Sequence, residues 1–168
     1  MSHYKGEDTS SYLIQRSLMR PRNLLKIFNH CRGFATNFNR QVIDDVDIEK
    51  GLKAYSSDLL AELDAELTQV FPSAQDLLYH FMDAKRALTT AELTDLLSSA
   101  KIDASDHEKI IAFLLYYGVL GIQVGDAEYF IFDVNYDIKV LQVRAERGKD
   151  ATLYIVNPAF WPAFSIAA

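Results

Sequence analysis

Six apolar residues, Ile48, Leu52, Tyr55, Leu59, Leu63 and Leu67, recur at intervals of three and four and stop at Phe71-Pro72. That spacing predicts one long amphipathic helix with a single buried stripe. Asp44 or Asp45 supplies its N-cap, and Asp47 and Glu49 suit the positive end of its dipole. A stripe this long needs a partner. With the helix before it, it reads as a lid-like unit folded to lie against something larger.

The helix before it opens at Arg20-Pro21-Arg22-Asn23-Leu24-Leu25. Pro21 has its φ preset for the first helical position and lacks only an N–H that would be orphaned there. Leu24, Phe28, Cys31 and Ala35 give this helix its predicted buried stripe, and Gly33 and Asn37–Asn39 loosen its end. Arg20 and Arg22 sit where acidic residues are normally preferred. Two explanations stand side by side. The arginines and the free N–H groups of the first turn hold an anion, such as a phosphate or a partner's carboxylate, or they pair with acidic residues of this chain. Upstream, residues 1–9 are polar and predicted to fray, and Ser10 or Ser11 caps a short helix through about Met19.

Charge is divided unevenly. Residues 1–40 carry a formal +5 and the remainder −11, for a net −6. An acidic body repels nucleic acid and membrane surfaces, so phosphate contacts are expected from the first forty residues. The 49% hydrophobic content supports a packed core. The single cysteine, Cys31, excludes an internal disulfide and disfavours a zinc site, which suits a reducing cytoplasm. No apolar run has signal-peptide or membrane-spanning character. The expected location is cytoplasmic, without a membrane partner.

From Ser73 the rhythm changes. Ser73-Ala74-Gln75-Asp76 predicts the cap of a helix carrying Leu77, Leu78, Phe81 and Met82. Thr89-Thr90-Ala91-Glu92 and Ser105-Asp106-His107-Glu108 read as capping boxes for two more helices. The second closes at Gly118. Val119–Val124 and Glu128–Asp133 are β-rich runs flanking a hairpin signal at Gly125-Asp126-Ala127. Three short helices and a hairpin are the order of a winged helix-turn-helix. Residues 134–147 fit strand or helix, Thr152–Val156 reads as a strand joining the wing sheet, and Pro158–Phe164 is an aromatic tail plugging a groove. The predicted fold class is mainly α with a small β-sheet: a helical lid-like lobe over 1–71, then a winged-helix domain over 72–168.

Catalytic machinery is missing. There is no Gly-x-x-x-x-Gly-Lys-Ser/Thr loop and no Gly-x-Gly-x-x-Gly. The run Asp44–Glu49 lacks the turn glycine and distal glutamate of a calcium loop, so helix capping accounts for it. His30 and Cys31 are neighbours on a helix and point apart, so they do not form a base–nucleophile pair. His3, His80 and His107 lack metal-ligand spacing. The chain is expected not to be an enzyme and to hold no metal or cofactor. The third helix of the winged unit offers only Lys109 and His107 beside Asp106 and Glu108, and the wing tip carries Asp126 and Glu128, which disfavours DNA binding through that face.

Arg20-Pro21-Arg22-Asn23-Leu24-Leu25 resembles the Arg-Pro-Arg-Asp-Leu-(Ile/Leu) helix start found C-terminal to the nucleotide-binding core of bacterial P-loop ATPases of the STAND and KAP kind. Ile43-Asp44-Asp45-Val46-Asp47-Ile48-Glu49, Tyr55-Ser56 and Tyr154-Ile155-Val156-Asn157-Pro158-Ala159-Phe160 extend the resemblance from about Ser11 to Phe164. Asn23 stands where that family usually has Asp, and Asn157 where it often has His. The P-loop core itself is absent from this chain.

The resemblance implies a helical lid followed by a winged-helix domain, the C-terminal part of such an ATPase. It implies a non-catalytic regulatory module coupling nucleotide state to a partner, with ATP and Mg only in an absent P-loop domain acting in cis or trans. Arg20 or Arg22 would then match the lid arginine that approaches nucleotide phosphates. Phe160, Trp161 and Phe164 are the candidate interaction surface, compatible with a homo-oligomer. The alternative is a stand-alone winged-helix regulator that binds DNA through its basic first forty residues.

Overall fold

The computed structural model describes residues 3–167, and Met1, Ser2 and Ala168 lie outside the described residues. The chain is mainly helical with two small antiparallel sheets. Its first elements are not frayed: β1 (His3–Tyr4) pairs with β2 (Glu7–Asp8) in a hairpin. Tyr4 is buried there, its ring edge-on to Tyr12 at 5.0 Å. The buried aromatic is what ties down a terminus whose other residues are polar. Asp8, rather than Ser10 or Ser11, caps α1 (Thr9–Gln15) by accepting from the Ser11 amide at 2.8 Å.

Helices α2 (Pro21–Asn37) and α3 (Asp45–Val70) pack along most of their length. The α3 stripe is as its spacing requires: Ile48, Leu52, Tyr55, Leu59, Leu63 and Leu67 are all buried. Asp44 and Asp47 form a reciprocal capping box. Arg40 bonds both Asp44 and the buried Asp47, closing the loop between the helices. The α2 stripe is rotated from its expected position. Asn23, Ile27, Cys31 and Ala35 are buried, whereas Phe28 is 44% exposed. A single row at i+4 spacing meets α3, and Gly51 permits the approach: a Cβ there would lie 2.5 Å from Cys31 Sγ.

After Phe71-Pro72 the chain makes two 3-10 turns, Pro72–Ala74 and Leu77–Phe81, in place of the expected capped helix. Asp76 adopts the left-handed conformation, φ 62°, which breaks any continuous helix there. β3 (Ala87–Thr89) leads into α4 (Thr90–Ser99), whose capping box Thr89–Glu92 is present. α5 (Ala104–Tyr116) starts one residue before the expected box, with Asp103 at the N-cap and no side-chain cap. Gly118, φ +76°, ends its exit turn.

β4 (Leu120–Val124) and β5 (Ala127–Tyr129) make a hairpin around Gly125-Asp126, and Gly125 has φ +63°. Residues 131–134 form a 3-10 turn, so β5 is shorter than its β-rich run. The ambiguous stretch resolves as α6 (Ile138–Gly148), capped by Asp137. β6 (Thr152–Val156) does join the sheet of the β4–β5 hairpin, and it enters the middle: the order is β3-β6-β4-β5. Short α7 (Trp161–Phe164) then packs on α3. One cluster of buried apolar residues runs from Tyr4 to Ile166.

Candidate functional site

The N-terminus of α2 is built as the sequence dictates, with Pro21 at its first position and Arg20 extended at the N-cap (φ −109°, ψ 120°). No side chain caps this end, and no acidic residue lies in its first turn. Arg20 is half-buried and Arg22 exposed. Neither makes an ion pair or a side-chain hydrogen bond among the described residues. Two acidic groups of α3 are engaged further along α2. Lys26 Nζ donates to Glu62 at 2.6 Å, and His30 Nε2 meets Asp58 at 2.8 Å. Glu66, one turn further along α3, makes no ion pair among the described residues and acts with Arg20 on Tyr117.

Beneath Arg20 lie tyrosines. Burial pushes the Tyr55 hydroxyl well above the ordinary tyrosine range, and Arg20 pulls against that rise while Glu62 adds to it. Tyr117 is raised by burial and by Glu66, again with Arg20 opposing. Tyr55 Oη and Asn23 Nδ2 are both buried without a hydrogen-bond partner. The start of α2 thus combines two unpaired cations with unsatisfied buried polar atoms. Such groups are costly unless something completes them.

The aromatic tail is placed differently from its expectation as an interaction surface. Phe160 and Phe164 are both 0% exposed. Their rings stack at 5.7 Å, and Phe81 stacks on Phe164 at 5.6 Å, so they are core residues joining the tail to the 3-10 turn. Ser56 Oγ, from the middle of α3, accepts from the Ala163 amide at 3.1 Å and fixes α7. Only Trp161 reaches partway to the surface. Its indole Nε1 donates to the Val156 carbonyl at 2.9 Å, and Arg86 lies 4.5 Å over its ring.

A second polar concentration was passed over in the sequence. Arg16 is only 8% exposed, its guanidinium 3.4 Å from the centre of the Tyr12 ring and its Nη1 donating to the Tyr12 carbonyl at 3.1 Å. It lines a cavity of about 360 Å³ between α1, the first half of α3 and the C-terminal tail. Burial lowers the Arg16 pKa, while the neighbouring tyrosines and Glu7 oppose that change. Tyr4, in the same wall, is pushed up to about 12, chiefly by burial, and keeps its proton as a donor. The usable signal was the four-residue spacing of Tyr12 and Arg16, which stacks cation on ring along one helix face.

Other candidates resolve as structure. Cys31 is buried and its thiol is pushed up to about 11 by desolvation, which makes it unreactive rather than nucleophilic. His107 is buried, with Nε2 at 3.1 Å from the Ile102 carbonyl, bracing the turn into α5. No group of three or more His, Cys, Asp or Glu among the described residues is arranged to hold a metal ion. No helix among them is long and apolar enough to cross a membrane.

Sequence comparison adds the following. Residues 1–64, from the β1–β2 hairpin through most of α3, match the family FunZ_C, described as a FunZ-associated C-terminal helical domain. The match fits a helical accessory region. The chain is 33% identical over 85 residues to the allergen Alt a 2 of Alternaria alternata, covering 51% of this chain and 45% of that protein. It is also 33% identical over 85 residues to the putative transposon gamma-delta 80.3 kDa protein of Escherichia coli (strain K12), covering 51% and 12%. The chain therefore spans less than half the length of either curated relative. No solved structure matches.

Proposed function

We propose that this chain is a non-catalytic regulatory module that works with a P-loop ATPase domain, in cis or in trans, and passes nucleotide state to a partner. The observation that carries this reading is the start of α2, where the first turn has no acidic residue and neither Arg20 nor Arg22 makes an ion pair among the described residues. A guanidinium pair at a helix N-terminus, with backbone N–H groups alongside, is suited to phosphate oxygens. The likeness of residues 1–64 to a FunZ-associated C-terminal helical domain supports an accessory role. In this reading residues 1–71 are the lid-like lobe. Residues 72–168, with two 3-10 turns and helices α4 and α5 followed by the β4–β5 hairpin, are a winged-helix module directed at protein.

The winged half suits protein better than DNA. α6 packs against α5, and Lys109, the single lysine or arginine of α5, is engaged by Asp106 at 3.2 Å. Asp126 and Glu128 on the wing are exposed and repel phosphates.

Crosslinking of the full chain to its cellular partners, with wild type and the Arg20→Ala/Arg22→Ala double variant side by side, tests the proposal. The expected result is a partner carrying a Gly-x-x-x-x-Gly-Lys-Ser/Thr loop whose crosslinks to the α2 start depend on added ATP in the wild type alone. ATP-independent crosslinks, equal in both proteins, would contradict it. So would binding of the chain to mixed-sequence duplex DNA with a steep salt slope.

A further inference from the structure

Arg16 is a buried cation with no counter-ion among the described residues. Of its five N–H donors, one bond is accounted for, to the Tyr12 carbonyl, and the Tyr12 ring covers one face of the guanidinium. No carboxylate comes within ion-pair distance of it among the described residues, and Glu7 acts on it only from farther away. The contrast within the same molecule is direct: the partly buried Arg40 is matched to Asp47 and Asp44. A buried charge left unpaired is costly, and a planar fork stacked on one face still has its edge free for two oxygens.

The cavity around Arg16 has the composition that such an edge calls for. Lys5 and Lys53 stand in its wall without acidic partners among the described residues, against one lining carboxylate, Glu49. Leu52, Trp161 and Pro162 supply an apolar side. The Trp161 indole N–H is already committed to Val156, so its ring offers hydrocarbon contact rather than a donor. A volume of about 360 Å³ lies at the small end of the range for ligand pockets.

We propose that this cavity binds a small organic oxyanion, a carboxylate or a phosphate monoester on a short hydrocarbon body, with Arg16 as the anchoring group. The oxyanion lies on the free edge of the guanidinium, Lys5 and Lys53 add attraction from the rim, and the body rests against Leu52, Trp161 and Pro162. The site is separate from the start of α2. Glu49 and Glu62 mark the two regions on α3, thirteen residues or about 20 Å apart along the helix. It therefore stands or falls independently of the ATPase reading.

Trp161 is the sole tryptophan and lines the cavity, so its emission reports occupancy without a label. The full chain is titrated with butyl phosphate and with butyrate at ionic strength held constant with sodium chloride. A saturable change with either probe is expected, and the tighter one identifies whether phosphate or carboxylate is the preferred head. Arg16→Gln should weaken it roughly tenfold or more, the loss expected for a charge-assisted pair. Because Arg16→Gln can disturb folding, Lys53→Gln provides a second measure, with affinity falling several-fold at an unchanged melting temperature. A non-saturable response, an equal response to chloride alone, or wild-type affinity in a folded Lys53→Gln protein would overturn the proposal.

Discussion

Gly51 brings α3 into close contact with α2 at Cys31. A Cβ on residue 51 would lie 2.5 Å from Cys31 Sγ and 2.8 Å from the Cys31 amide nitrogen. The second distance matters more, because a side chain can rotate and a helical backbone cannot. Gly51→Ala must therefore push the two helices apart. It gains helix propensity, yet overpacking of this kind costs about 1–3 kcal/mol, and a melting temperature several degrees below wild type is expected. An unchanged or raised melting temperature would show that the seam is looser than described.

The same contact shields Cys31. Burial pushes its thiol up to about 11, and the residue is 1% exposed. At pH 8 the native protein should react with a thiol-specific disulfide reagent far more slowly than the urea-unfolded chain. Equal rates would place Cys31 at the surface.

Glu92 links charge to pH. The hydrogen bond from Lys85, at 2.5 Å, is the largest of the influences that lower its pKa from 4.5 to about 2, and the Thr89 amide adds to it at 2.9 Å. Since the folded value lies below the unfolded one, its contribution is fully present above about pH 4.5 and is lost as pH falls through about 2. Carboxyl titration by NMR should give a Glu92 midpoint near 2, moving upward in Lys85→Gln. A midpoint near 4.5 in the wild type would contradict the contact.

Leu114 is 0% exposed and sits in the second half of α5. Leu114→Asp would bury an unpaired carboxylate, a loss of about 4 kcal/mol or more. The chain should lose its cooperative melt at the wild-type temperature. A transition at the wild-type temperature would remove α5 from the core.

How far the sequence carried differs by element for physical reasons. The α3 stripe was legible because its apolar residues lie on one face and its ends carry strong cap and stop signals. The phase of α2 was not, because Leu24, Leu25, Ile27 and Phe28 offer apolar residues on both sides. The partner that decides between them, Gly51, is distant in sequence. The turns at 72–81 depend on a left-handed Asp76, for which apolar spacing gives no sign. Aromatic content alone could not tell whether Phe160 and Phe164 face outward; the stack with Phe81, some eighty residues away, settles that they face inward. The arginines flanking Pro21 were legible from local chemistry. Arg16 was not, because its burial comes from α3 and the tail closing over the start of the chain.

The most direct measurement is ATP hydrolysis by the proposed P-loop ATPase partner in complex with this chain, compared between wild type and the Arg20→Ala/Arg22→Ala double variant. Arg22 is exposed and Arg20 half-buried, and neither makes an ion pair among the described residues, so the melting temperature of the variant is measured alongside and should stay close to that of wild type. The account expects hydrolysis or nucleotide affinity to fall roughly tenfold or more, the scale of a lost charge-assisted phosphate contact. Equal affinity and equal hydrolysis in a complex of equal stability would contradict it.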